Sequence, residues 1–125
     1  MITKDEVLLI HAEVIKLYGG SNGVRDINGL ESAIGRANQT FGEKDLYPTS
    51  FEKAAAIGES IIKNHPFVDG NKKIGYVLME AVLRLAGNKI ICTDDALYEF
   101  IIKISTSQIE FEEIVEWLKQ NTSGV

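Results

Sequence analysis

Between Asn64 and Gly75 the chain reads Asn-His-Pro-Phe-Val-Asp-Gly-Asn-Lys-Lys-Ile-Gly. A histidine, a carboxylate, a glycine turn and two lysines thus precede a strongly apolar run. That is the layout of a phosphate site. Pro66 keeps its predecessor out of the helical region, so the preceding helix must end at about Asn64, with His65 extended just beyond it. Asp69-Gly70 makes a turn in which Gly70 can take a positive φ, and Asn71 is a good N-cap for the helix that follows. A helix N-terminus presents unpaired N–H groups and about half a positive charge, which together attract anions. Lys72 and Lys73 therefore cost stability unless an anion lies between them, and both can reach phosphate oxygens. A neutral imidazole at His65 can take a proton from a hydroxyl, and a carboxylate at Asp69 beside phosphates is a natural Mg²⁺ ligand.

The elements that must position these residues read as a stack of helices. Thr3 and Glu6 form a capping box, and Val7, Ile10, Val14, Leu17 and Tyr18 recur at helical spacing until Gly19-Gly20 stops the run. A Gly-, Asn- and Asp-rich loop follows, and Asn28 with Glu31 starts a second helix whose inner side is Leu30, Ile34 and Ala37. Ser50 caps a third, with Phe51, Ala54, Ala55, Gly58, Ile61 and Ile62 on one face and a Glu59–Lys63 pair on the other. The fourth, Asn71 to about Ala86, is apolar almost all round apart from Glu80 and Arg84, the pattern of a centrally buried helix, and Gly87 ends it. Lys89–Cys92 reads as a short extended link, Thr93 with Asp94 and Asp95 opens a fifth helix, and Phe111 to Leu118 lies in a sixth. Residues Asn121 to Val125 read as frayed. Gly42–Thr49 breaks the helical rhythm as a small hairpin flap or a plain connector.

The expected architecture is all-α: a compact bundle of about six helices around a central buried one, in a single domain over residues 1–125. His11 lies on the apolar face of the first helix as a hydrogen-bonded core residue, and Trp117 and Phe100 belong to the core. Arg36 is placed in a surface salt bridge and Cys92 as a partly buried small residue. A net charge of −5 argues against nonspecific nucleic-acid binding, which needs Lys and Arg to neutralise phosphates. No segment has the roughly 18–20 uninterrupted apolar residues of a membrane span, no signal peptide opens the chain, and a lone cysteine suits a reducing compartment, so the cytoplasm is expected.

His65-Pro66-Phe67-Val68-Asp69-Gly70-Asn71-Lys72-Lys73 resembles the Fic motif, His-Pro-Phe-x-Asp-Gly-Asn-Gly-Arg, and more closely its Doc (death on curing) branch, whose motif ends Asn-Lys-Arg. Leu17-Tyr18-Gly19-Gly20 and Gly29–Arg36 are similar to the N-terminal half of Doc toxins. The resemblance implies that His65 is the catalytic base, Phe67 the apolar anchor of the loop, Asp69 the Mg²⁺ ligand, and Gly70 with Asn71 the phosphate-cradling turn. Lys73 stands where the family has its phosphate-binding Arg, offering a point charge in place of a bidentate fork. Lys72 replaces the Gly of AMP-transferring members, and in the Doc branch this accompanies a reversed ATP pose and γ-phosphoryl transfer. Their second Arg is Tyr76 here.

The resemblance further implies a toxin of a type II toxin–antitoxin pair that uses ATP and Mg²⁺. It would phosphorylate a threonine hydroxyl of elongation factor Tu, block translation, and be restrained by an antitoxin with a disordered segment. AMP transfer is the alternative within enzymes, and a non-catalytic nucleotide- or partner-binding module the alternative outside them. Thr106–Glu110 carries part of the inhibitory Ser/Thr-x-x-x-Glu-Gly/Asn pattern of some Fic proteins, but Phe111 follows, so control in trans is expected.

Overall fold

A computed structural model of the chain describes residues 2–124. Six helices occur among them: α1 (Lys4–Tyr18), α2 (Ile27–Ala37), α3 (Ser50–Asn64), α4 (Asn71–Leu85), α5 (Asp94–Ser105) and α6 (Phe111–Gln120). Two antiparallel pairs of short strands accompany them, β1 (Thr40–Phe41) with β2 (Lys44–Asp45), and β3 (Asn88–Ile90) with β4 (Thr122–Gly124). The mostly helical fold is the one expected, and β1–β2 is the hairpin reading of the irregular loop.

Caps fix most boundaries. The Thr3–Glu6 capping box opens α1, with the Glu6 N–H donating to Thr3 Oγ1 at 3.2 Å and the Thr3 N–H to the Glu6 carboxylate at 3.1 Å. Two caps lie earlier than the sequence pattern placed them. Asp26, not Asn28, caps α2 by accepting from the Gly29 N–H at 2.9 Å, and Thr49, not Ser50, caps α3 by accepting from the Glu52 N–H at 3.2 Å. In each case a nearby polar residue could serve, and the one whose side chain reaches the third N–H beyond it takes the role.

The most enclosed helix is α3, rather than α4. Every residue from Ala54 to Ile62 is buried, because Ala54, Ala55, Ala56 and Gly58 let neighbours approach from several sides. Helix α4 buries Ile74, Gly75, Leu78, Met79 and Leu83 but leaves Leu85 90 % exposed. The two helices meet at glycines: a Cβ on Gly58 would lie 2.5 Å from Met79 Sδ, and one on Gly75 would lie 2.5 Å from Ile62 Cγ1. The Phe100 and Trp117 rings stack at 3.8 Å in the core under α5 and α6.

Glu59 pairs with Lys63 as expected, but on the face opposite the apolar one it is nonetheless buried. Its carboxylate pairs with Arg36 at 2.8 Å and with Lys63 at 3.5 Å. Arg36 also donates to Ser60 Oγ at 3.0 Å and to the Tyr47 hydroxyl at 3.2 Å, which ties α2 and the end of the hairpin to α3. Burial alone disfavours the guanidinium charge, but the hydrogen bonds to Tyr47 and Glu59 more than offset it, so the Arg36 pKa is raised.

The end of the chain is ordered where fraying was expected. Residues 122–124 pair with 88–90 in the register Asn88↔Gly124 and Ile90↔Thr122, and the Ile91 N–H donates to Asn121 O at 2.7 Å. The backbone groups of the extended link find partners in the chain's own terminus, which local sequence pattern does not report. Val125 lies outside the described residues. Among the described residues no helix is long and apolar enough to cross a membrane.

Candidate active site

The segment His65–Gly70 joins α3 to α4. His65 is left-handed, with φ 48° and ψ 54°, and not extended as the following proline led us to expect. Its N–H still bonds to Ile61 O at 3.3 Å, so it closes α3 as an αL cap. For a residue other than glycine this conformation costs about 1–2 kcal/mol. The offset comes from the α1–α2 loop: Arg25 Nε donates to His65 O at 3.1 Å, while its Nη2 donates to His65 O and, at 3.4 Å, to Asn64 O. A cation resting on the last carbonyls of a helix also complements the helix dipole.

The rest of the segment is fixed by the same loop and by the core. The N–H groups of Arg25 and Asp26 donate to Pro66 O at 2.8 and 2.9 Å, and the Val68 N–H donates to Gly23 O at 3.0 Å. Phe67 is completely buried and stacks on the His11 ring at 3.8 Å. His11 Nε2 lies 3.0 Å from Asp69 O, and because a carbonyl can only accept, this nitrogen carries the proton. His11 is thus a hydrogen-bonded core residue that also steadies the motif.

Asn71 does not cap α4. The N-cap is Gly70, with φ 76° and ψ 17°, and Asn71 is the first helical residue. Its side chain turns back onto the loop, accepting from the Phe67 N–H at 3.0 Å and donating to Phe67 O at 3.1 Å. Gly70 has no side chain with which to cap α4, so the N–H groups of Asn71, Lys72 and Lys73 in its first turn remain available to an anion.

Around that opening stand the charged residues. The exposed Asp69 accepts from the Gly70 N–H at Oδ1 (2.9 Å) and from the Ser21 N–H at Oδ2 (3.2 Å). Gly20 makes this approach possible, since a Cβ there would lie 2.7 Å from Asp69 Oδ2. Lys72 and Lys73 are exposed in the first turn of α4, and the Lys73 ammonium rests 4.1 Å from the centroid of the Tyr18 ring. Both lysines border a groove of about 470 Å³ that runs to α5. Tyr76 in its wall has its phenol pKa raised by burial and by Glu80, so it is a neutral hydroxyl.

The structure gathers His65, Phe67, Asp69, Gly70, Asn71, Lys72 and Lys73 at one helix junction. Arg36 lies apart, in its pair with Glu59. Sequence reasoning missed Arg25, Ser21 and the packing role of Gly20, whose contacts reach residues far along the chain and leave no local signal.

The sequence model of the Fic/DOC family matches residues 1–83, which contain the whole motif and its supporting loop. The chain belongs to the Fic/Doc family. It is 37 % identical over 70 residues to a Mycolicibacterium smegmatis protein named Toxin Doc, covering 56 % of this chain and 54 % of that relative. It is 26 % identical over 120 residues to the Escherichia phage P1 protein named Protein kinase doc, covering 95 % and 93 %. The match therefore spans about half the length of the mycobacterial relative and nearly all of the phage one.

Proposed function

We propose that this protein is the toxin of a type II toxin–antitoxin pair, a cytoplasmic enzyme that transfers the γ-phosphoryl group of ATP to a Ser or Thr hydroxyl of a target protein. The expected target is elongation factor Tu, so translation would stop, and the expected antitoxin restrains the enzyme with a disordered segment. One observation carries the reading: the α4 N-terminus is left without a side-chain cap, with two lysines in its first turn and with His65 and Asp69 beside it. The name of the phage P1 relative, Protein kinase doc, supports phosphoryl transfer.

Phosphoryl transfer asks a protein mainly for positioning and charge neutralisation. In this reading the free N–H groups of Asn71, Lys72 and Lys73 receive phosphate oxygens, and the two ammonium groups balance their charge. His65 takes the proton of the target hydroxyl as its oxygen forms a bond to the γ-phosphorus and the bond to the β,γ-bridging oxygen breaks, releasing ADP. Arg25 holds the His65 backbone while this happens.

Asp69 is the residue suited to Mg²⁺. It is a single exposed carboxylate with both oxygens accepting only backbone N–H bonds, and no cluster of three metal-ligating side chains surrounds it among the described residues. Mg²⁺ fits such a site, because it commonly keeps several waters and binds one or two carboxylates plus substrate phosphates. Bound there, the ion would neutralise phosphate charge.

His65→Ala tests the reading. His65 is exposed and its ring makes no hydrogen bond or ion pair among the described residues, so the variant should fold. Transfer to the target should fall at least about 100-fold, measured by intact mass after incubation with ATP. Unchanged labelling would overturn the role of His65 as the base, and no labelling by the parent protein itself would favour a binding module. A mass gain of AMP in place of HPO₃ would assign nucleotidyl transfer instead.

A further inference from the structure

We propose that Tyr18 is a positioning residue for Lys73, and that the end of α1 holds the site's cation and its carboxylate apart. The inference rests on the reading that the α4 N-terminus receives phosphates. Tyr18 is the last residue of α1 and is 65 % exposed, so its ring is no part of the core. The Lys73 ammonium lies over that ring, 4.1 Å from its centroid. Three residues on, the Ser21 N–H donates to Asp69 Oδ2 at 3.2 Å. One short segment therefore touches both charged groups, and it is itself fixed. Gly19 closes α1 through its N–H to Ile15 O at 2.8 Å, and Gly20 leaves room for the Asp69 carboxylate.

A ring does for Lys73 what a carboxylate could not. Lys73 and Asp69 border the same opening, yet no ion pair joins them among the described residues. Such a pair would neutralise the positive charge that attracts a phosphate and the negative charge that attracts a metal ion. A π face attracts an ammonium but leaves its full charge for a third group. Without a partner, a lysine is a point charge on a flexible four-carbon stem. Lys72 is in that condition, since neither an ion pair nor an aromatic face holds it among the described residues. Tyr18 thus makes one of two adjacent lysines a pre-set phosphate ligand and leaves the other unrestrained.

Inorganic tripolyphosphate is the probe, read by calorimetry on the full chain without Mg²⁺, so that a metal ion on Asp69 plays no part. Tyr18→Leu keeps an apolar helix former at an exposed position and should leave Tm within about 2 °C of the parent. It should weaken tripolyphosphate binding about fivefold, because the ligand must then order a free lysine side chain. Tyr18→Phe keeps the ring face and should bind as the parent does. In a Lys73→Ala background, Tyr18→Leu should have no further effect, since the ring then has nothing to hold. A loss that persists undiminished in that background would make Tyr18 a direct contact of the phosphate and defeat the proposal. Equal loss in Tyr18→Phe would assign the effect to the hydroxyl and defeat the role of the ring. A parent that binds and a Tyr18→Leu variant that binds equally well would overturn the positioning alone, whereas a parent that binds no tripolyphosphate would overturn the phosphate reading and the positioning with it. Proton NMR reads the contact without any ligand: the ring should shift the Lys73 ε-methylene protons upfield in the parent and not in Tyr18→Leu, and no shift in the parent rules the contact out.

Discussion

Helices α4 and α5 face one groove, and their N-termini are built oppositely. Helix α5 begins with Thr93, whose Oγ1 accepts from the Ala96 N–H at 3.1 Å, and follows it with Asp94 and Asp95. Cap and carboxylates satisfy a free donor and complement the dipole, contributions of about 1 and 0.3–1 kcal/mol. Helix α4 begins with Gly70, has no side-chain cap and no acid in its first turn, and carries two lysines. One terminus carries its own stabilising groups, and the other is uncapped, where the proposed reaction has it receive phosphates. What α4 lacks locally is supplied by its surroundings, through the Asn71 clamp on Phe67, the His11 bond to Asp69 and the burial of Phe67.

The most forceful way to break this contrast is to give α4 the electrostatics of α5. Lys72 has no ion-pair partner among the described residues, so Lys72→Glu removes no existing bridge. The new carboxylate complements the dipole and should stabilise the fold by about 0.5–1 kcal/mol, raising Tm by a few degrees. The same carboxylate repels phosphates, so transfer should fall at least about 100-fold. Calorimetry beside a transfer assay reads both, and a variant that is less stable, or as active as the parent, contradicts the idea of a terminus reserved for an anion.

A smaller effect is expected where α3 hands over to α4. Arg25→Ala removes the guanidinium from the carbonyls of Asn64 and His65 and leaves the left-handed His65 without its offset. Hydrogen bonds from a charged group contribute about 1.5 kcal/mol, so a drop in transfer of about tenfold is expected, with partial recovery in Arg25→Lys. A variant that loses stability but keeps its full rate would make Arg25 a helix cap and nothing more.

How much of this was legible depends on the range of the forces involved. The helices, the Thr3–Glu6 box, the positive φ of Gly70 and the grouping of His65, Asp69 and the lysines rest on contacts within a turn or two, which spacing reports directly. The left-handed His65 did not follow from Pro66, because the deciding partner is Arg25, far along the chain. Gly20 reads only as a helix stop, and Ser21 as part of a polar loop, until Asp69 is seen against them. The β3–β4 pairing and the buried Glu59 are likewise set by partners remote in sequence. Asn71 was placed one position wrong as a cap, since Asn is a favoured N-cap and nothing local shows its amide turning back to Phe67.

The mildest test addresses the other side of the groove. Thr93→Ala deletes the α5 cap, which should cost about 1 kcal/mol and lower Tm by about 3–5 °C. Thr93 touches none of the residues that receive phosphate in the proposed reaction, so well below Tm the rate should stay within about twofold of the parent. The reason is thermodynamic: a 1 kcal/mol loss still leaves a domain of ordinary stability almost entirely folded, and only the folded fraction enters the assay. If transfer falls roughly tenfold with a Tm shift this small, the α5 terminus is doing more than holding its helix. The division between a stabilising terminus and a receiving one would then have to be redrawn to include both walls of the groove.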